Sequence, residues 1–594
     1  MSAPNVSVFM LQRLREWGVR RIYGYPGDGS NGLNLAFHEV GEEVEFVQVR
    51  HEELAAFAAC AHAKLTGELG VCMATSGPGA IHLLNGLYDA KLDHAPVLAI
   101  VGQQKRMSLG GDFQQEVDLR ALYKDVAGEY VAEVNDPRQA AHVVDRAVRI
   151  ARARRTVTAV IVPSDVQELP YEQPARAHGA LYAGTPGYRD SVVRPSEEQL
   201  RQAAEVLNAG ERVAMLVGHG AKGAAEEVIE VADLLGAGVA KALNGRAVLP
   251  DDLPFVTGSI GLLGTKPSDD MMESCDTLLM VGTSFPYSEW LPEPGQARGV
   301  QIDIDAGRLG IRYPIEVAML GDATETLRAL IPHLQRKQER SWREDIQDGV
   351  ERWWRLLDER AHVEADPINP QLVFHELSPR LPDHAIVLAD SGSATNWFAR
   401  HLRLRAGMDA ALSGTLATMC PAVPYALAAK LAYPQRPVIA CLGDGAMQML
   451  GINALIDLAH YQERWSGPLV VLVLNNGDLN QVTWEQRVLA GDAKMQTTQQ
   501  LPPFDFAAYA RQLGLQGIRV ETPDQIGSAW DQALAADRPA LIDVITDPEV
   551  PPLPPHIRPE HAKGFARALL HGDPDSAHMV RQSLREKIKD LVTR

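Results

Sequence analysis

Asp444, within Gly443-Asp444-Gly445, and Asn476, closing the pair Asn475-Asn476, have side chains suited to holding a cation. Asp444 lies just past the apolar run 438–442, and the Asn pair follows another, 469–474. Two strands therefore deliver a carboxylate and a side-chain amide to one edge of a sheet, with helix-like sequence between them. Hard oxygen donors of this kind suit Mg²⁺, which keeps octahedral geometry and shares its sphere with phosphate oxygens. A diphosphate clamped at the carboxyl ends of parallel strands follows from that placement. Gly-Asp-Gly alone is turn sequence, because Gly adopts positive φ and Asp bonds its own backbone. The Asn pair and the strand context favour the ligand reading.

A second constellation, Arg50-His51-Glu52-Glu53, ends a strand and opens the Ala-rich helix around 55–59. Its first turn places Glu52 where a carboxylate can be partly buried. Ser76-Gly77-Pro78-Gly79 follows the next strand, and its glycines and proline let backbone approach a ligand. Taken singly, these are a solvated helix start and a loop.

Elements of regular alternation must position these groups. At about 150 residues per domain, 594 residues make three to four domains. Short β-branched runs alternate with helical stretches, the mark of parallel α/β sheets. Strands are predicted over 21–25, 44–49, 71–75, 96–101 and 158–162, then over 213–217, 277–281, 300–304 and 317–320. The last group covers 385–388, 438–442, 469–474 and 540–545. The expected fold class is α/β: three doubly wound parallel-sheet domains with a C-terminal helical tail. The boundaries are 1–165, a linker 166–196, 197–335, a helical linker 336–370, 371–550, and the tail 551–594. No short-period repeat points to a solenoid.

A net charge of −19 argues against a nucleic-acid partner. No apolar run is long enough to span a bilayer. The first residues lack a basic and apolar leader pattern, and the five scattered Cys read as buried thiols, so a cytoplasmic location is expected. In the tail, Met579, Val580, Leu584, Ile588 and Leu591 recur at helical spacing among charges of both signs. Packing on the enzyme itself is favoured over peripheral contact with the inner membrane surface.

Together these motifs resemble the thiamine-diphosphate-dependent enzymes. Arg50-His51-Glu52-Glu53, Ser76-Gly77-Pro78-Gly79, Phe113-Gln114, Gly443-Asp444-Gly445 and Asn475-Asn476 stand in the family's order. Lys64-Leu65-Thr66-Gly67, the segment 82–89, the segment 282–287, 301–305, 554–557 and 560–565 resemble the pyruvate oxidase branch, which includes the quinone-dependent pyruvate dehydrogenases. The resemblance implies the domain order pyrimidine-binding, central, diphosphate-binding, and a cofactor held between subunits. The assembly is then at least a dimer, with a tetramer expected.

In that family a carboxylate bonded to the pyrimidine ring promotes loss of the thiazolium C2 proton. Glu52 matches this role, and partial burial suits it, since a raised pKa makes a better proton partner near neutrality. Asp444, Asn476 and the Asp478 carbonyl match the Mg²⁺ ligands. Ser76, Gly77, Gly392, Ser393, Thr395, Gly443, Gly445 and Ala446 match cofactor-binding positions, as do Ala417 and Met419, the latter resembling the wedge beneath the bent cofactor. Phe113, Gln114, Val482 and Glu485 fall where the family borders its 2-oxo acid. Gly218, Gly220, Gly282, Thr283, Phe285, Asp303 and Asp322 fall where the flavin-containing branch lines FAD, while many relatives keep this domain as structure. Asn480-Gln481 departs from the family, replacing a Gly and an aromatic with a polar pocket wall. The activity implied is oxidative decarboxylation of a 2-oxo acid, pyruvate foremost, with electrons passed to FAD and then to quinone or O₂. Acetolactate synthase-like carboligation and non-oxidative decarboxylation are the alternatives.

Overall fold

The computed structural model describes residues 4–182, 186–552 and 559–592, with side chains over 562–585 in the last stretch. It holds three six-stranded sheets, all parallel. In spatial order the first is Glu45–Gln48, Arg21–Gly24, Gly70–Ala74, Val97–Gln103, Val157–Pro163 and Val131–Glu133. The third is Asp409–Leu412, Ile386–Ala389, Val438–Gly443, Leu469–Asn475, Ala540–Ile545 and Gln516–Val520. These two share one topology, which no sequence repeat announces. The central sheet runs Val317–Leu320, Arg298–Asp303, Thr277–Val281, Val213–Val217, Gly238–Lys241 and Val256–Ser259. Its chain builds one half outwards and then crosses back to build the other, as in dinucleotide-binding folds.

Sequence reading omits five of these strands: Val131–Glu133, Gly238–Lys241, Val256–Ser259, Asp409–Leu412 and Gln516–Val520. Four of them are sheet edges, and all are short with few β-branched residues. Pairing with a neighbour, not local propensity, makes them strands.

One apolar cluster runs through both terminal domains. The Glu52–Thr66 helix packs on the Ala422–Ala432 helix, and the Ala side chains on both let their backbones come close. The five cysteines are free and buried. Among the described residues no helix is long and apolar enough to cross a membrane.

The tail folds back on the enzyme. Gly564 sits so close to the Val488 carbonyl that a Cβ would lie 2.0 Å from it, and Phe565 stacks on Trp484. Buried Arg487 binds Glu549 and the tail's Asp573, and Arg585 binds Glu364. Met579 is buried, whereas Val580 and Leu584 are exposed. The side chains of Ile588 and Leu591, residues 554–557, and the side chains of Glu560 and His561 lie outside the described residues.

Two glycines mark where helix and strand touch. A Cβ on Gly70 would lie 2.0 Å from the Ala59 carbonyl oxygen, and one on Gly517 2.0 Å from that of Ala507. Both neighbours are backbone and cannot rotate away. Gly70→Ala and Gly517→Ala should each lower stability by about 1–3 kcal/mol through overpacking. An unchanged denaturant midpoint in either variant would contradict this.

Candidate active site

Ile386–Ala389 and Val438–Gly443 are neighbours in the third sheet, and the chain leaves them toward opposite sides. Their diverging carboxyl ends open a crevice at the topological switch point. Gly392 stands there at φ 117°, a conformation that favours glycine. A Cβ built on Gly392, Gly443 or Gly477 would meet no atom within 4 Å, so the three line open space. Ser393 and Thr395 begin the helix Ser393–His401 at this edge. The Thr395 hydroxyl turns back to donate to the Asp390 carbonyl.

Gly443 pairs in register with Leu474, so Asp444 and Asn476 emerge side by side. The Asp444 carboxylate is 2 % exposed and accepts from the amides of Gly445 (2.9 Å), Asn476 (3.0 Å) and Gly477 (2.6 Å). Among the described residues no Lys, Arg or His ion-pairs with it. Burial pushes its pKa up to about 7 despite those amides. Asn476 Oδ1 accepts from the Asp478 amide at 3.0 Å, closing the turn. The buried Asp478 carboxylate meets Lys494 Nζ at 3.2 Å, which leaves its backbone carbonyl as the oxygen to consider. A buried carboxylate without a cationic partner, an amide oxygen beside it and open space at three glycines fit Mg²⁺ and a diphosphate. Ala446 is buried in the turn after Asp444, and the helix widens into a π-turn over Met447–Gly451.

The Met419 methyl lies 3.3 Å from a Cβ built on Gly445, so this side chain reaches the same crevice. Its loop is strained: Ala417 has φ 55° and Cys420 φ 85°. Such residues cost about 1–3 kcal/mol each and persist only where surroundings over-determine them. Asp390, fully buried, does so at one end by accepting from the Cys420 and Ala422 amides at 2.9 and 2.7 Å. At the other end the Gly414 and Thr415 amides donate to Asp93 of the first domain, both at 2.9 Å. Sequence reading missed both aspartates, since neither belongs to a motif.

In the first domain, Glu52 is 7 % exposed, and its Oε2 lies 3.0 Å from His82 Nδ1. A Cβ on Gly79 would come within 3.0 Å of Glu52 Oε1, so the glycine makes room for the carboxylate. His51 caps the helix by accepting from the Glu53 amide at 3.2 Å, and its ring stacks on His82. Burial, then His82, holds the His51 pKa below its ordinary value. Glu53 is structural: it accepts from Asn85 at 2.6 Å, and Asn85 also donates to Thr418 beside Met419. The first sheet has its own switch point between Arg21–Gly24 and Gly70–Ala74. There the Gly29 amide donates to Thr75 Oγ1 at 3.0 Å. The loop Tyr25-Pro26-Gly27-Asp28-Gly29 was not singled out from sequence, although its Pro-Gly and Asp-Gly steps are turn signals.

Ser76 is buried and accepts from Gln104, and a Cβ on Gly77 would touch Gln115 at 2.8 Å. These contacts fasten the loop bearing Phe113 and Gln114, both exposed within one chain, Phe113 by 52 %. In the third domain Val482 is also 52 % exposed, and Glu485 accepts from Gln481 at 2.8 Å. Gln481 in turn accepts from Asn396 at 2.7 Å, while Asn480 donates to the Pro548 carbonyl. The departure at Asn480-Gln481 therefore has bonded partners on the crevice side.

The thiamine pyrophosphate enzyme family matches in three parts: its N-terminal TPP binding domain over residues 4–122, its central domain over 200–330 and its C-terminal TPP binding domain over 390–544. The chain belongs to this family. YdaP of Bacillus subtilis, a protein named for thiamine pyrophosphate, is 36 % identical over all of both chains. Pyruvate oxidase of Lactiplantibacillus plantarum is 31 % identical over 90 % of this chain and 87 % of its own. The large subunit of Escherichia coli acetolactate synthase isozyme 2 is 30 % identical over 92 % of this chain and 98 % of its own.

As a thiamine pyrophosphate enzyme the chain carries a central domain whose switch point lies between Val213–Val217 and Thr277–Val281. Gly218 and Gly282 follow these strands. The Gly220 amide donates to the Gly282 carbonyl at 3.0 Å, and a Cβ on Gly220 would lie 2.7 Å from Gly282 Cα. These glycines let two loops meet where a dinucleotide binds in such sheets. Thr283 accepts from the Phe285 amide at 3.2 Å, and Phe285 packs on Gly261. Asp303 is buried and accepts from the Asp305 amide. The Asp322 carboxylate is used as the cap of helix Ala323–Leu330.

With Asp444 as a ligand, Mg²⁺ and a proton would compete for it, because burial pushes its pKa up to about 7. Joint affinity for Mg²⁺ and thiamine diphosphate should therefore rise between about pH 6 and 8 and then level. Calorimetry in two buffers of different ionisation heat reads the released proton, with Asp444→Asn correcting for the diphosphate's own titration. Equal proton release by wild type and variant would contradict the competition.

Proposed function

We propose that the chain decarboxylates a 2-oxo acid, pyruvate foremost, and passes the electrons to FAD and then to a quinone or O₂. Asp444 carries the reading: a buried carboxylate with no ion-pair partner among the described residues, beside Asn476 at a switch point. Asp444, Asn476 and the Asp478 carbonyl would hold Mg²⁺, and the Gly392-Ser393 turn would face the diphosphate. Bound thiamine diphosphate supplies a carbon nucleophile for the 2-oxo carbonyl and an electron sink for loss of CO₂.

Glu52 would hold a proton at the pyrimidine ring, oriented by His82 at 3.0 Å. Met419, on its strained loop, would set the bend of the cofactor. Gln114 would donate to the substrate, and Phe113 and Val482 would exclude water once a second copy covers them. The Asn396–Gln481–Glu485 chain gives the substrate side a polar wall. For FAD, support comes from Gly218, Gly220 and Gly282 meeting at the switch point of a dinucleotide-type sheet. Asp322 is the weakest member of that set, since its carboxylate is already bonded. A homo-oligomer, at least a dimer and expected as a tetramer, fits the exposed apolar groups.

A second reading, carboligation of two 2-oxo acids, draws on the acetolactate synthase relatives and on the polar Gln481 wall. The visible spectrum of the purified protein, before and after anaerobic pyruvate, separates the two. Flavin bands that bleach are expected. Flavin bands that persist while acetolactate accumulates would favour carboligation, and no flavin absorption would sink the oxidative step.

A further inference from the structure

We propose that Asp358, His362 and His375 form a site for a divalent transition-metal ion of the Zn²⁺, Ni²⁺ or Co²⁺ class, apart from the crevice described above. One ligand atom from each residue lies within 4.8 Å of the other two. Asp358 and His362 sit one turn apart at the C-terminal end of the helix Ser341–Ala361, so they share a face. His375 comes from the helix Pro370–Leu377, with its Nε2 3.3 Å from Asp358 Oδ1. The two imidazole rings stand 5.0 Å apart, edge to face.

Two details favour an ion here over an incidental cluster. His362 Nδ1 lies 2.7 Å from the Asp358 backbone carbonyl, which can only accept. The proton therefore resides on Nδ1, and Nε2 keeps the lone pair that a metal needs. This outer hydrogen bond is the usual orienting contact of a metal-bound histidine. The frame is also rigid. Buried Asn369 caps the His375 helix and donates to the carbonyls of Arg360 (2.9 Å) and Val363 (3.0 Å), fixing one helix against the other.

Two imidazoles and one carboxylate select Zn²⁺, Ni²⁺, Cu²⁺ or Co²⁺ over the hard ions, which want oxygen donors only. Bonds of about 2.0–2.1 Å put tetrahedral ligands roughly 3.4 Å apart. Asp358 and His362 are exposed and can close from 4.8 Å by side-chain rotation, leaving a fourth position to water. Arg403, held over Trp354 at 4.1 Å, is the nearby opposing charge. The Asp358 carboxylate offsets one of the ion's two charges, so the loaded site keeps a single net positive charge for Arg403 to oppose. The carboxylate trio Asp269, Asp270 and Glu273 has no nitrogen donor and no such frame. An ion at Asp358 would clamp the interdomain helix to the first helix of the third domain.

The test uses the full chain loaded with Mg²⁺ and thiamine diphosphate and titrated with Co²⁺, whose visible absorption reports its coordination. One equivalent per chain is expected with a tetrahedral-type spectrum. Zn²⁺ should displace it and raise the melting temperature. His362→Ala and His375→Gln should each weaken this binding at least about tenfold, while melting in EDTA confirms that both variants fold. Co²⁺ binding as strong as wild type in both variants, or no Co²⁺ bound beyond the Mg²⁺ positions, would overturn the assignment.

Discussion

The Asp93 carboxylate accepts from Lys64 of its own domain (2.7 Å), from Asn244 of the central domain (2.9 Å) and from the Gly414 and Thr415 amides of the third. Burial alone would raise its pKa, but Lys64 and the amides outweigh that and hold it at about 2. The pair contributes stability above the unfolded carboxyl's pKa near 4 and loses it only as pH falls toward 2. Lys64 is itself buried and donates to Leu412 and Tyr425, so the charge sits in a fully bonded network. Removing one member would leave an uncompensated charge inside the seam.

The loop from Gly414 to Cys420 thus hangs between two buried aspartates of opposite character. Asp93 is firmly ionised. Asp390, whose carboxylate bonds only to amides among the described residues, is pushed by burial to about 7. Its folded pKa lies above its unfolded value, so its contribution is present in acid and lost as pH rises through about 7. Met419 sits between them on backbone that no local preference would choose. The arrangement keeps a strained turn in one place and ties its position to another domain.

The shared topology of the first and third sheets gives each a switch point with glycine turns and a buried carboxylate beside it. Glu52 and Asp444 were legible because both stand at the ends of apolar runs, where the side-chain type alone suggests chemistry. The duplication was not legible, since topology is kept by pairing order and not by residue identity. Asp93 and Asp390 were equally hidden, as their partners lie hundreds of residues away or on bare backbone amides. Lys64 and Asp89 were read only as family traces, and their reason is the seam they neutralise. The tail shows the limit of helical spacing: it marks an apolar stripe without saying that Met579 is buried while Leu584 is exposed.

In the proposed function the labour is divided: Asp444 would hold the cofactor and Glu52 would act on its proton. Hydrogen–deuterium exchange at C2 of thiamine diphosphate, measured beside binding affinity, tests it most directly. Glu52→Gln should bind cofactor and Mg²⁺ as wild type does and lose rapid C2 exchange, whereas Asp444→Ala should lose binding itself. Wild-type exchange in Glu52→Gln, or wild-type affinity in Asp444→Ala, would contradict the account.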